Sequence, residues 1–361
     1  MELRYYITIA VVVIGLQLLL FNFTKTISWL FNLSKRGRWI TTTSSYLLGN
    51  AFIILNLTRI FHSFRLVALM LAILLFALFV RLAVAAIYFI GKRFTDSQSL
   101  NRRLKVIYPI AFFGLIGFSL YNAYVPTIVR YSITLDKPMA PIRIGVASDF
   151  HLGILFGGKQ LDELAKIFEQ EKVDLILLPG DIMDDNVKAY LAENMQPHLE
   201  KLRAPLGVYA TMGNHDLFGA EQAIRTEIEK AGIKVLWDQA VTLDGKFAII
   251  GRNDDLVKTR PSTKELLTQV NTDLPVLLMD HRPTEIEKHA QLPIDLQVSG
   301  HTHKGQIFPA NMMTSAMYPL SYGYEKIGLG HYVVTSGYGF WGIPMRLGSQ
   351  SEVVIIDIKG K

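Results

Sequence analysis

The sequence predicts an α/β domain preceded by an all-α transmembrane region of about four helices, and three observations lead there. Four long apolar runs occupy the first 125 residues. Beyond them, short apolar strands alternate with helical stretches, the pattern of an α/β domain. Those strands end in polar clusters rich in aspartate and histidine. The chain of 361 residues therefore divides into a transmembrane region, 1–125, and a second domain, 126–361.

The first run, Tyr5 to Phe23, holds no charge and approaches the ~20 residues that cross a bilayer. No small-x-small cleavage site follows it, so it reads as a span rather than a signal peptide. The further runs are Thr42 to Phe61, Leu66 to Ile90 and Val106 to Val125, with Asn50 and Asn56 diluting the second. Arg81, inside the third run, reads as a side chain reaching to an interface. Basic residues orient such a bundle. Lys25, Lys35, Arg36 and Arg38 precede span two, and Lys92, Arg93, Arg102, Arg103 and Lys105 lie between spans three and four. Arg4, Arg59, Arg65 and Arg130 fall on the other side, nine against four. The reading is thus a multi-pass inner (cell) membrane protein with both termini and the second domain extracytoplasmic. If span two does not cross, that domain faces the cytoplasm. The formal charge of +6 is largely this topology signal, and no nucleic-acid binding is expected. The chain has no cysteine, which excludes disulfides and thiolate chemistry.

In the second domain, PIRIGVAS reads as a strand ending at DFHLG. GGKQLDELAKIFEQEKV follows with helical spacing at Leu161, Leu164, Ile167 and Phe168. DLILLPG is a buried strand ending at Asp181; a helical stretch runs near Lys188 to Leu202, and LGVYATMG ends at NHD. Ala220 to Ala231 reads as a helix closed by Gly232. The strands FAIIG, LPVLLMD, IDLQVSG, HYVVTSG and EVVIIDI complete the domain. Ligands bind at the carboxyl ends of strands in open α/β sheets. GILFGGKQ is not a P-loop.

Collected from those ends are Asp149, His151, Asp181, Asn214, His215, His281, His301 and His303. This oxygen and nitrogen set suits Mn, Fe, Zn, Co or Ni. It is too large for one ion and fits two, which about 3.5–4 Å apart form a clamp for attack on a phosphoryl centre.

Read in order, DFH, GD, GNHD, H and GHTH resemble the calcineurin-like metallophosphoesterases over roughly Ile142 to Ile358. The tail YEKIGLGHYVVTSGYGFWGIPMRLGSQSEVVIIDI resembles that family's membrane-associated bacterial branch, whose relatives include a cell-wall-associated phosphodiesterase and lipid A precursor hydrolases. The resemblance implies a two-sheet β-sandwich flanked by helices, and a role for each residue. Asp149, His151 and His303 would hold one divalent metal ion (Mn, Fe or Zn). Asn214, His281 and His301 would hold a second, and Asp181 would bridge the two. A hydroxide between the metals would be the nucleophile, and catalytic His215 would stabilise or protonate the leaving oxygen. Lys304 stands where relatives often carry glycine, and either contacts a substrate phosphate or points to solvent. The expected function is a membrane-anchored, metal-dependent phosphohydrolase cleaving a phosphoester or pyrophosphate bond, with a lipid-linked phosphate as the preferred substrate class. The rival readings are the same enzyme facing the cytoplasm, acting on a nucleotide-linked lipid precursor, and a catalytically inactive membrane scaffold. His62, His198, His289 and His331 fit no ligand position. Asp184 and Asp185 read as loop or supporting residues, Arg252 to Asp255 as loop closure, and Trp341 as core.

Overall fold

The computed structural model describes residues 2–60 and 63–361; His62 lies outside them. It divides into two compact units, Met1–Ser119 and Leu120–Lys361. The first holds α1 (Glu2–Leu30), α2 (Lys35–Leu57), α3 (Phe64–Gly91) and most of α4 (Ser97–Tyr124). Four helices form where four runs were read, but three are long and apolar enough to cross a membrane: Ala10–Leu30, Phe64–Gly91 and Ser97–Tyr124. Among the described residues, three candidate spans thus stand where about four were expected. α2 falls short because Thr41 to Ser45, Asn50 and Asn56 lower its hydropathy. Asn50 and Tyr46 are matched by Gln17 of α1. Gln17 Nε2 donates to Asn50 Oδ1 at 2.9 Å, Asn50 Nδ2 donates back to Gln17 Oε1 at 3.2 Å, and Tyr46 donates to the Gln17 carbonyl. Such reciprocal amide pairs hold helices together in apolar surroundings. Arg81 lies over the Trp29 ring, 4.5 Å from its centroid, near the end of α1. The indole donates to Asn101 at 2.8 Å.

The second unit is a two-sheet sandwich. One sheet has the order β1 (Thr127–Leu135), β12 (Glu352–Gly360), β2 (Ile142–Val146), β3 (Leu175–Pro179), β4 (Val208–Thr211) and β5 (Lys234–Val235). The other has the order β10 (Gly323–Ile327), β11 (Gly330–Val334), β9 (Leu296–Ser299), β8 (Val276–Asp280), β7 (Phe247–Arg252) and β6 (Gln239–Leu243). β2, β3, β4 and β5 run parallel, as do β7, β8, β9 and β11. Parallel strands are covered on both faces, which explains why β3 and β8 are buried throughout. Ile144, Val146, Leu175 and Leu177 meet Ile249, Leu277, Met279 and Val298 between the sheets. The first sheet's outer face packs Leu161, Leu164 and Phe168 of α5 (Gly158–Glu171) and Ile224 and Ile228 of α8 (Glu221–Lys230).

The helical stretch read over Lys188 to Leu202 is two short helices, α6 (Lys188–Ala192) and α7 (Gln196–Leu199). Asn194 between them takes φ +48° and breaks the run. α9 (Thr263–Leu267) and α10 (Ile286–His289) flank the second sheet, and α11 (Ala310–Met317) follows β9. α11 has no buried residue.

Candidate metal centre

Every sequence-selected residue sits just past the carboxyl end of a parallel strand. Asp149 and His151 follow β2, Asp181 follows β3, and Asn214 and His215 follow β4 in the first sheet. His281 follows β8, and His301 and His303 follow β9 in the second. The loops must turn sharply to point these side chains at one place. Asp149, His151, Asp181, His301 and His303 all take φ between +47° and +71°. This region is sparsely populated outside glycine, though Asp and His are enriched there, and such strain gathers at functional sites. Two glycines permit the crowding. A Cβ on Gly213 would collide with the Asp181 carboxylate, and one on Gly300 with Ser148 and the Asp149 carboxylate.

The side chains converge in two sets that could each hold a cation: Asp149, His151 and His303, and Asp181, His281 and His301. His151 Nε2 is 3.1 Å from His303 Nε2 and 3.8 Å from Asp181 Oδ2. His303 Nε2 is 3.4 Å from Asp149 Oδ1, and His281 Nε2 is 3.2 Å from Asp181 Oδ2. Asp181 thus touches both sets. His281 Nδ1 donates to the Pro179 carbonyl at 2.7 Å, which turns Nε2 inward as is usual for ligating histidines. The buried Asn214 Oδ1, His151 Nδ1 and His281 Nε2 have no hydrogen-bond partner. Carboxylate, imidazole and amide atoms gathered at this spacing, with the Asn214 oxygen unpaired, fit divalent cations, since buried polar groups are otherwise satisfied.

Electrostatics agree. Burial pushes His151 down to about 3 and His301 to about 2, and holds His303 well below its usual value. These rings are neutral near pH 7, the state in which imidazole binds metal. Burial pushes Asp149 up to about 6. Burial would also raise Asp181, but His281, His151 and His215 hold it well below the carboxylate range. Burial works against a charge on His281, yet Asp181 beside it raises it to about 10.

His215 lines the same cavity, of about 330 Å³. Its backbone N–H donates to Asp181 Oδ1 at 2.8 Å, and its Nδ1 lies 2.5 Å from Asp185 Oδ1. Burial opposes its charge, but Asp185, Asp181 and Asp184 raise its pKa above the ordinary value.

Two residues to which the sequence reading gave no role support the centre. Buried Asp216 accepts from the N–H groups of Ile182, Met183 and Gly213 at 2.9–3.2 Å, tying the Asp181 loop to the Asn214 loop. Arg346 is fully buried. It reaches the carbonyls of Ser336 and Gly339 at 2.7 and 2.6 Å and lies 3.2 Å from His303 Nδ1.

Other readings are corrected or filled in. Lys304 rests its ammonium 3.9 Å from the Tyr322 ring centroid, so it is engaged by an aromatic face. Trp341, read as core, is 43 % exposed at the cavity rim, while Tyr338 and Phe340 are buried. His198 pairs with Asp162, His289 with Thr263 and Gln297, and His331 with Tyr324. Asp280, Glu285 and His289 also converge, but Arg252 and Arg260 occupy the two carboxylates. Arg252 to Asp255 close their loop through Arg260, Arg282 and Asp238.

Comparison with known proteins agrees with this geometry. The calcineurin-like phosphoesterase profile matches residues 142–305. An uncharacterized metallophosphoesterase of Aquifex aeolicus is 35% identical over 68% of this chain and 97% of its own length. One from Helicobacter pylori is 28% identical over 73% of this chain and 72% of its own. A transmembrane protein with metallophosphoesterase domain from Danio rerio is 28% identical over 69% of this chain and 60% of its own. With its ligand blocks in order and a relative matched nearly end to end, the chain belongs to the calcineurin-like phosphoesterases.

Proposed function

We propose that this chain is a membrane-anchored phosphohydrolase that uses two divalent cations to cleave a phosphoester or pyrophosphate bond. One observation carries the reading: two oxygen and nitrogen donor sets share Asp181, beside a buried Asn214 Oδ1 that has no hydrogen-bond partner. Asp149, His151 and His303 would hold one cation, Asn214, His281 and His301 the other, and Asp181 both. Bound there, the cations supply Lewis acidity for the phosphoryl group and acidify the attacking water.

The chain's own groups do the rest. Asp185 fixes His215 through Nδ1, leaving Nε2 to give a proton to the departing oxygen. Asp216 keeps the Asp181 and Asn214 loops in register. The strand ends exclude bulk water from the donors, all but His301 of which are buried.

A lipid-linked phosphate is the substrate class we favour. Three spans are apolar enough for a bilayer, and β1 begins within three residues of the end of α4, so the catalytic unit has almost no linker. The Asn50 amide of α2, satisfied by Gln17, supports a fourth crossing, and with it an extracytoplasmic catalytic unit. The test is hydrolysis of bis-p-nitrophenyl phosphate and p-nitrophenyl phosphate by the purified protein with Mn²⁺, Zn²⁺ or EDTA. Metal-dependent turnover that falls by about 10²–10⁴-fold in His215→Ala supports the reading. An enzyme indifferent to EDTA would sink it.

A further inference from the structure

We infer that the cavity carries an apolar subsite beside His215, formed by Phe218, Trp341 and Met317, which seats the hydrocarbon chain of an amphiphilic phosphoester. The inference rests on the phosphohydrolase reading and names which part of the substrate lies where.

The Phe218 ring lies 5.1 Å from the His215 ring and the Trp341 ring 6.1 Å from it. Both are well exposed, at 54 % and 43 %. Met317, 68 % exposed, extends the wall from α11, whose Met312 and Met313 are also exposed. Exposed apolar side chains grouped at the mouth of a polar site mark a ligand surface, and methionine adapts to flexible hydrocarbon.

The wall has little with which to read a sugar or a base. Gln306 gives its amide to the Trp341 and Ile343 carbonyls and accepts from the Trp341 N–H. Thr302 donates to the Ser321 carbonyl and Thr314 to that of Asn311. Their polar atoms are spent on the backbone, leaving the Tyr318 hydroxyl.

The apolar wall and its spent polar groups select a hydrocarbon occupant. The last turn of α4, Leu120 to Tyr124, belongs to this unit. Tyr124 packs edge-on against Phe340 at 5.3 Å and donates to the Leu155 carbonyl. Phe340 is the neighbour of Trp341. The rim of the subsite is therefore braced by aromatic packing within this unit. A hydrocarbon chain fits that surface.

The experiment uses the full-length protein in nanodiscs with Mn²⁺ and bis-p-nitrophenyl phosphate as reporter. Methyl- to octylphosphonate and adenosine 5′-monophosphate serve as competitors. The inhibition constant should fall with each methylene, by up to about fourfold, until the seat is filled. The slope should flatten in Phe218→Ser/Trp341→Ser and in Met317→Ser, the latter on an exposed helix that tolerates the change. The nucleotide should compete no better than methylphosphonate. A flat series in the wild type, a slope unchanged in the variants, or preference for the nucleotide overturns the inference while the hydrolysis stands. If the face instead seats a second copy, Met317→Ser converts a dimer to monomer and the series is flat, which also overturns it. Absence of any metal-dependent hydrolysis removes the underlying reading instead.

Discussion

Asp216→Asn isolates the tie between the two ligand loops. In the native protein Oδ1 accepts from the Ile182 and Met183 N–H groups, and Oδ2 from Ile182 and Gly213. Asparagine keeps one acceptor oxygen for Ile182 and Met183. Its amide nitrogen then faces the Gly213 N–H, donor to donor. One buried N–H loses its partner, which costs about 1–3 kcal/mol. At about 2–4 °C per kcal/mol for a unit of this size, thermal unfolding of the catalytic unit should fall by several degrees. The Gly213 end carries Asn214, so loosening it should weaken the second cation set more than the first. Differential scanning calorimetry, with Mn²⁺ binding by isothermal titration, reads both effects. A variant that melts with the wild type and binds Mn²⁺ equally well would refute the clamp.

Asp185→Asn should lower kcat by about 10–100-fold with little change in KM, because His215 loses the carboxylate that orients it; steady-state kinetics on p-nitrophenyl phosphate check it. Glu285 is held down to about 2, since hydrogen bonds from Lys288 and Arg252 outweigh burial. Its depressed value means stability present above its ordinary value of 4.5 and lost as pH falls through about 2. The stability gap between wild type and Glu285→Gln, read by denaturant unfolding, should therefore be open at neutral pH and close between about pH 4.5 and 2. A phosphatase reporter fused after Lys361 should be active outside the cytoplasm, and activity of a cytoplasm-restricted reporter there would reverse the topology.

What the sequence revealed follows the range of the forces involved. The apolar helices were visible because apolar runs are local, and the weakness of α2 was visible in Asn50 and Asn56. Its partner Gln17 was not, because that pairing crosses 33 residues. The strands and their polar ends were legible since burial on both faces leaves continuous apolar runs such as LILLP. The eight clustered residues were legible because their spacing repeats a family pattern. Asp216 stood inside GNHD and Arg346 inside the tail, but neither showed a role, because their bonds to Ile182 and Met183 and to His303 cross between loops. Asp185 was visible only as one of two acidic loop residues; its bond to His215 needs the fold. Trp341 misled because an aromatic residue near the chain's end reads as core, whereas its position on a cavity rim is set by the turn after Phe340. The parallel pairing of β1 with β12 joins segments some 225 residues apart, and no local pattern announces it.

The central claim is that Asp181 serves two cations at once, and the metal content of the purified protein tests it most directly. Elemental analysis after reconstitution with Mn²⁺ should give two equivalents per wild-type chain and at most one in Asp181→Asn, with hydrolysis abolished. Two tightly held equivalents and near-normal turnover in Asp181→Asn would contradict the account.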